Sequence, residues 1–338
     1  MVNFSPARLD ALSSSFCAAR IAVVGDLMLD RYMFGAVSRI SPEAPVPVLD
    51  IHEEQARLGG AANVGHNIHG LGATPVMLGV VGDDTSGLIL KGLFADLGFP
   101  LDGIITDHER PTTVKTRVIA STQHMLRIDH EKKHDISQET EDKLIAAIED
   151  NIGQLDGIIL EDYNKGVVTR SVIQRVIEIG NRNNVPVLVD PKFQNFFEYK
   201  HATVFKPNRK ETEDALGLHM KTDAEIEAAG RKLLEVLQAE NVLLTLGEKG
   251  MLLFEKGESH SFAIPTRARK VADVSGAGDT VIATLAVAMA CGIPLREAAV
   301  LANRAAGIVI EELGIIPIYR ERLMEALLED EANAHTLE

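Results

Sequence analysis

The sequence predicts an α/β fold: a doubly wound, mainly parallel sheet flanked by helices, with a small β-sheet lid. Three observations carry this reading. Short, near-continuously apolar runs ending in Gly or Asp recur along the chain, as buried parallel strands do. Helical patterns separate them, giving the alternation of a doubly wound sheet. Two further stretches break the alternation in ways that suit a separate antiparallel sheet.

In chain order, the expected strands are Arg20 to Asp26 (RIAVVGD), Val76 to Gly82, Gly157 to Asp162, Val185 to Asp190 and Asn241 to Gly247. Between them Ser86–Leu97, Ser137–Ile152 and Thr169–Arg182 read as helices. Ala44 to Leu58 carries prolines that confine it to an edge strand. Thr112 to Asp129 alternates polar and apolar residues, as a half-exposed strand pair would. The lid is therefore expected from about residues 36–58 and 112–130, appended to one domain spanning 1–338. Its exposed edges invite pairing, and a homodimer through the lid is expected. In such a fold the ligand sits outside the carboxyl ends of the strands.

Composition narrows the function classes. The 338 residues carry 34 Lys and Arg against 49 Asp and Glu, a formal net charge of −15. That balance argues against a nucleic-acid binder, whose affinity rests on clustered cations. The most apolar run, Thr280 to Ile293, is shorter than the roughly 20 residues a membrane-spanning helix needs. No segment reads as a signal peptide. The two cysteines, Cys17 and Cys291, have no metal-ligand spacing, and a reduced, cytoplasmic protein is expected.

The most informative segment is Asp273 to Ala290, DVSGAGDTVIATLAVAMA. Ser275, Gly276, Ala277 and Gly278 make a small-residue loop directly before a strongly apolar helix. N–H groups at a helix N-terminus lack internal partners and point outward with the positive end of the dipole. Glycines allow an anion to approach that backbone. The site is suited to stabilising a transferring phosphoryl group. Asp279, in the first turn, is then placed to accept a proton from an attacking hydroxyl, and phosphoryl transfer asks no stronger base. Taken alone, the same residues also suit a Gly-rich turn with a dipole-favoured Asp. A second glycine motif, Leu58 to Asp84, begins with Gly59 and Gly60 and continues to Asn63. Alone, it would equally suit a helix packed tightly on a sheet.

Together, GGAAN near the start and DVSGAGD near the end resemble the two signatures of the ribokinase-like (phosphofructokinase-B) family of sugar and nucleoside kinases. The resemblance covers nearly the whole chain. It implies ATP and Mg²⁺ as cofactors and Asp279 as the catalytic base over an anion hole of Gly276, Ala277 and Gly278. It implies that Asp30 and Asp162 hold sugar hydroxyls, with Gly59, Gly60 and Asn63 lining the sugar. Asn208 and Glu211, in KPNRKE, match an N-x-x-E motif that organises the Mg²⁺–phosphate region, Glu211 acting through water. Thr245 and Gly247 match the nucleotide-side loop, Asn303 the flank of the adenine, and Asp273 the position of a K⁺ ion.

The stretches VVGDLMLDRYMFGAVSRISPEAPVPVLD and EDYNKG further resemble bacterial kinases of heptose 7-phosphate. That subgroup implies transfer to the anomeric hydroxyl of D-glycero-β-D-manno-heptose 7-phosphate in lipopolysaccharide precursor synthesis. A phosphorylated sugar needs cations, and Arg39, Lys115, Arg117, Arg127, Lys165 and Lys192 lie in lid segments or after strand ends. At least two of the six are expected to be solvated. Arg117 and Lys165 are favoured for the phosphate, with Arg39 beside them. Many relatives carry a following nucleotidyltransferase domain with H-x-G-H; none occurs in this sequence, so a single-function form is expected. Among rivals, a hydride-transferring Rossmann enzyme lacks its G-x-G-x-x-G, and a P-loop ATPase its G-x-x-x-x-G-K-[ST]. A kinase of another sugar or nucleoside, or a silent nucleotide-binding protein, completes the alternatives.

Overall fold

The computed structural model describes residues 6–121, 123–266, 271–312 and 314–335. The strands are β1 (Arg20–Gly25), β2 (Leu27–Ile40), β3 (Pro47–Gly60), β4 (Thr74–Gly82), β5 (Ile104–Asp107), β6 (Thr113–Ala120), β7 (Gln123–His130), β8 (Gly157–Glu161), β9 (Val187–Asp190), β10 (Val204–Phe205), β11 (Asn241–Thr245), β12 (Met251–Glu255) and β13 (Phe262–Ile264). The helices are α1 (Pro6–Phe16), α2 (Ala61–Gly70), α3 (Thr85–Asp96), α4 (Gln138–Asn151), α5 (Arg170–Asn183), α6 (Arg209–Leu216), α7 (Asp223–Leu237), α8 (Ala277–Ala290), α9 (Leu295–Val309) and α10 (Arg320–His335).

Nine strands form the main sheet in the order β13-β12-β11-β10-β9-β8-β1-β4-β5. From β11 to β5 every pairing is parallel; β12 and β13 add an antiparallel edge. The apolar runs are continuous because both faces of the sheet are covered. In β1, Ile21 and Val23 join the core on one face with α8 and α9, while Ala22 and Val24 join the core on the other with α4 and α5. β8 and β11 repeat the split, Ile159 and Leu243 on the first face, Ile158, Leu160, Val242 and Leu244 on the second. Strand order reverses at β1, which lies between β4 and β8. The crevice at this switch point is where a doubly wound sheet binds its ligand.

The small sheet has the order β3-β2-β6-β7, with β2 and β6 parallel and the outer pairs antiparallel. The proline-bearing segment is an edge strand, and Pro47 is its first residue. The start of the lid differs most from the sequence expectation. The lid sheet begins at Leu27 rather than near residue 36, so that Asp30 lies inside β2. The start of β2, Leu27 to Asp30, is buried like a core strand, so its apolar pattern did not mark where one sheet ends and the other begins. Among the described residues no helix is long and apolar enough to cross a membrane.

Candidate active site

The centre of the site is the N-terminus of α8. Gly276 caps it in the left-handed region (φ 79°), a conformation that favours glycine. Its Cα faces Asn63, whose Nδ2 would lie 3.1 Å from an added Cβ. The Ala277 N–H turns back onto the Val274 carbonyl at 3.3 Å. Asp279, 5 % exposed, accepts hydrogen bonds on both oxygens: Asn63 Nδ2 donates to Oδ2 at 2.7 Å, and the Tyr163 hydroxyl to Oδ1 at 2.8 Å. Asn63 is held by α2, which begins directly after the Gly59–Gly60 pair.

Beneath this helix end, successive strands each deliver a charged side chain. Glu161 ends β8 and is in register with Asp190, which ends β9; Lys206 follows β10 and pairs with Asp190 at 2.8 Å. Gly278 lies over that pair, an added Cβ falling 3.5 Å from both Asp190 Oδ2 and Lys206 Nζ. Oxygens of Glu161, Asp190 and Asp279 all lie within 4.8 Å of one another, a spacing a cation can span. Asp190, however, is already met by Lys206, and Asp279 by two donors. Burial pushes the Asp279 carboxyl up to about 6, against the two hydrogen bonds that favour its ionised form; Asp190 adds to the rise and Lys206 opposes it. Glu161, fully buried and with neither oxygen hydrogen-bonded, is raised well above the carboxylate range by burial and then by Asp190 and Asp279. Its protonated form relieves the crowding of negative charge.

On the lid side, Asp30 pairs with Arg117 at 2.6 Å, the two residues coming from the parallel strands β2 and β6. Gly59 permits this placement, since an added Cβ would lie 2.6 Å from Asp30 Oδ2. Gly60, at φ 57°, makes the turn into α2. The Tyr32 ring is flanked by the guanidinium groups of Arg57 and Arg117, 4.9 and 5.2 Å from its centroid. Lys115, opposite Asp30 in the register, and Lys192, just after β9, both sit over the Tyr163 ring, at 5.1 and 5.3 Å. Lys165 Nζ meets Glu131 at 2.7 Å. Four of the six cations named from the sequence thus gather around Asp30 and Tyr163.

Two expected sugar contacts, Arg39 and Asp162, are placed elsewhere, and Arg127 is one of the cations left at the surface. Arg39 is exposed at the far end of β2, nine residues and roughly 30 Å of strand from Asp30. Arg127 is exposed and paired with Asp129. Asp162, expected to face the sugar, is 1 % exposed, and its oxygens accept from the Tyr199 hydroxyl (2.7 Å) and the Asn164 N–H (2.7 Å). Burial pushes it up to about 6, with Asp26 adding to the rise. The side chain that meets Asp279 at this strand end is its neighbour Glu161, because adjacent strand residues point to opposite faces.

The residues matched to the nucleotide side gather at the ends of β10 and β11. Asn208 caps α6 in a capping box with Glu211, and forms a bridge with Thr245. Glu211 therefore has one oxygen on the Asn208 N–H (2.9 Å) and the other on Lys192 Nζ (2.7 Å). Burial would lower the Lys192 ammonium, but Asp190 and Glu211 outweigh it and hold it protonated. Gly247 follows β11 at φ 61°. Asn303, on α9, donates to the Pro265 carbonyl at 2.9 Å. Asp273 accepts from the Ser275 and Gly314 N–H groups; burial would raise it, and these bonds keep it below its ordinary value.

Sequence reasoning missed Glu161, Tyr163, Asp190 and Lys206. The available signal was positional: in IILED, VLVDP and VFKPN a charged residue follows a buried apolar run at the strand end. Asp26 was missed likewise. It ends the first run, and its carboxylate accepts the N–H groups of Tyr163, Lys165 and Val167, which shapes the turn that carries Tyr163.

Comparison with known proteins gives a consistent result. The family described as pfkB family carbohydrate kinase matches residues 18–321. The chain is similar to the bifunctional protein HldE of Desulfatibacillum aliphaticivorans, 44% identical over 322 residues that cover 95% of this chain and 65% of that protein. It is also similar to the bifunctional protein HldE of Wolinella succinogenes, 44% identical over 301 residues, 89% of this chain and 63% of that one. The chain thus spans somewhat less than two thirds of the length of these curated relatives. Among solved structures, Arabidopsis thaliana ribokinase complexed with ribose and ATP superposes with a TM-score of 0.71 at 22% identity, covering 91% of this chain and 98% of that one. Escherichia coli phosphofructokinase-2 in complex with potassium gives 0.74 at 17% identity, covering 92% and 98%. At these identities the structural likeness shows the fold, a large mostly parallel sheet with a small separate sheet.

Proposed function

The chain belongs to the pfkB family of carbohydrate kinases, and from that premise we propose that it transfers the γ-phosphoryl group of ATP to the C1 hydroxyl of D-glycero-β-D-manno-heptose 7-phosphate. The product is the 1,7-bisphosphate, a step toward the heptose precursor of lipopolysaccharide. The observation that carries the reading is Asp279, buried at the N-terminal turn of α8 and oriented by Asn63 and Tyr163. Its carboxyl, pushed up to about 6, is still mostly ionised at neutral pH and is a better proton acceptor than an ordinary aspartate.

In this reading the acceptor hydroxyl approaches Asp279, hands over its proton and attacks the γ-phosphorus in line, with ADP leaving. The N-terminus of α8 at Gly276 to Gly278 stabilises the transferring group, with Lys206 beneath adding positive charge. Asp30 holds sugar hydroxyls, and Arg117, Lys115, Lys165 and Lys192 form the cationic wall a phosphorylated sugar needs. Asn208, Glu211, Thr245, Gly247 and Asn303 serve the nucleotide. The Glu211 carboxylate, already shared between Lys192 and a backbone N–H, suits Mg²⁺ held through water. Mg²⁺ would neutralise the phosphate charge. Asp273, with its carboxylate kept ionised, is the residue that would hold K⁺. A homodimer through the lid is supported by the apolar residues that sheet exposes, among them Ile40, Ile51, Leu126 and Ile128.

The test is ADP release from ATP·Mg²⁺ with heptose 7-phosphate, unphosphorylated heptose, fructose 6-phosphate, ribose and adenosine. Strong preference for heptose 7-phosphate is expected. Turnover of another member would replace the substrate, and silence across the panel with ATP still bound would refute the kinase reading.

A further inference from the structure

We propose that Tyr163 is a positioning residue for the base: its hydroxyl orients Asp279 on the side from which the acceptor arrives, and its ring ties that orientation to the lid. The proposal rests on the kinase reading for its catalytic meaning, but its geometric content stands apart from it.

The two hydrogen bonds on Asp279 are not equivalent. Asn63 is 1 % exposed, on a helix wedged between the lid strands and α8, and its own carbonyl is held by Asn67 Nδ2 at 2.8 Å. The Oδ2 side is therefore closed. Tyr163 is only half-buried and belongs to a tight turn after β8, with Asn164 at φ 54° and Gly166 at φ 86°. Oδ1 is thus the oxygen that faces the crevice, and the phenol is the group there. A carboxylate oxygen has two lone pairs, so an acceptor hydroxyl can bind Oδ1 beside the phenol without displacing it.

The ring of the same residue lies between two ammonium groups from different parts of the fold, Lys115 of lid strand β6 and Lys192 after β9. Lys115 in turn faces Asp30, Lys165 and Glu131. A shift of the lid strand moves Lys115 across the face of Tyr163, and the phenol carries that shift to Asp279.

The groups facing Asp279 are Glu161 from β8, Tyr163 from the following turn, Asp190 from β9 and Lys206 after β10, with neutral Asn63 from α2. The phenol donates to the ionised form, so its removal favours the protonated one. Tyr163→Phe should raise the acid limb of kcat/KM by about one pH unit, from near 6 toward 7. kcat/KM should fall about fivefold at pH 6 and hardly at all at pH 8, with a small loss of stability confined to neutral and higher pH. A carbon-13 titration of the Asp279 carboxyl, assigned by its loss in Asp279→Asn, should show the same rise in the substrate-free protein. An unmoved limb together with an unmoved titration would overturn the hydroxyl's role. If the wild type turned over no sugar, the kinase reading would fail while the carboxyl titration still decided the positioning claim. Tyr163→Leu, which also removes the ring, should add a several-fold rise in KM for the acceptor; identical kinetics of the Phe and Leu variants would overturn the ring's part.

Discussion

Replacing Asp279 by Asn should stabilise the protein while abolishing its turnover, and the pH dependence of the gain is the informative part. Burial pushes the carboxyl up to about 6 in the folded chain, from an ordinary value of 3.8. Below pH 3.8 both states carry the proton and the residue costs the fold nothing. Between pH 3.8 and about 6 the unfolded state has released its proton while the folded state keeps it, so stability is lost across that window and levels off above it. Integrated to about pH 7.5, the difference of roughly two units costs about 3 kcal/mol. The amide introduced by Asp279→Asn would keep both contacts, accepting from Asn63 through its carbonyl and donating its N–H to the Tyr163 oxygen. Denaturant unfolding near pH 7.5 should therefore show the variant more stable by about 2–3 kcal/mol, and near pH 4 by less than about 1 kcal/mol. A gain of equal size at both pH values, or a loss at neutral pH, would refute the claim that burial holds this base above its ordinary range.

Gly59→Ala puts a Cβ 2.6 Å from Asp30 Oδ2, so the carboxylate must leave its position against Arg117. KM for the sugar should rise tenfold or more, with ATP binding unchanged by calorimetry. Gly230→Ala drives a Cβ to 2.2–2.6 Å of the Phe254 ring in the core beneath α7. An overpacking cost of about 1–3 kcal/mol should appear as a lowered unfolding midpoint, with kinetic constants unchanged at the assay temperature.

The main sheet was legible in the sequence because its strands are buried on both faces: RIAVVG and NVLLT have no polar side to blur them. Caps were legible for a related reason, since Ser137 and Thr169 each accept from the N–H three residues on and start α4 and α5 where the pattern does. Asp279, Asn63 and the glycines could be named because each motif sits at a helix N-terminus and the two together resemble a family's signatures. Glu161, Asp190, Lys206 and Tyr163 could not. Each comes from a separate strand end or turn, and only the sheet order places them together. Asp162 illustrates the limit: a single-residue difference in strand parity decides whether a carboxylate faces the base or the opposite core.

Two of the crossings between the main body and the lid use very little chain. β1 passes into β2 through Asp26 alone, and β3 runs straight into α2 at Gly60. The chain also crosses between the sheets at residues 108–112 and 131–137, but the β1–β2 crossing is the tightest, and β2 is an arm that starts at one residue. A 14-residue arm is roughly 46 Å long, so a turn of about 10° at Asp26 sweeps its tip through roughly 8 Å. The same turn, read from the near end of the arm, displaces Gly59 and Gly60 by only a fraction of that and presses on α2, where Asn63 grips Asp279. A large excursion at the rim would thus correspond to a small adjustment at the base.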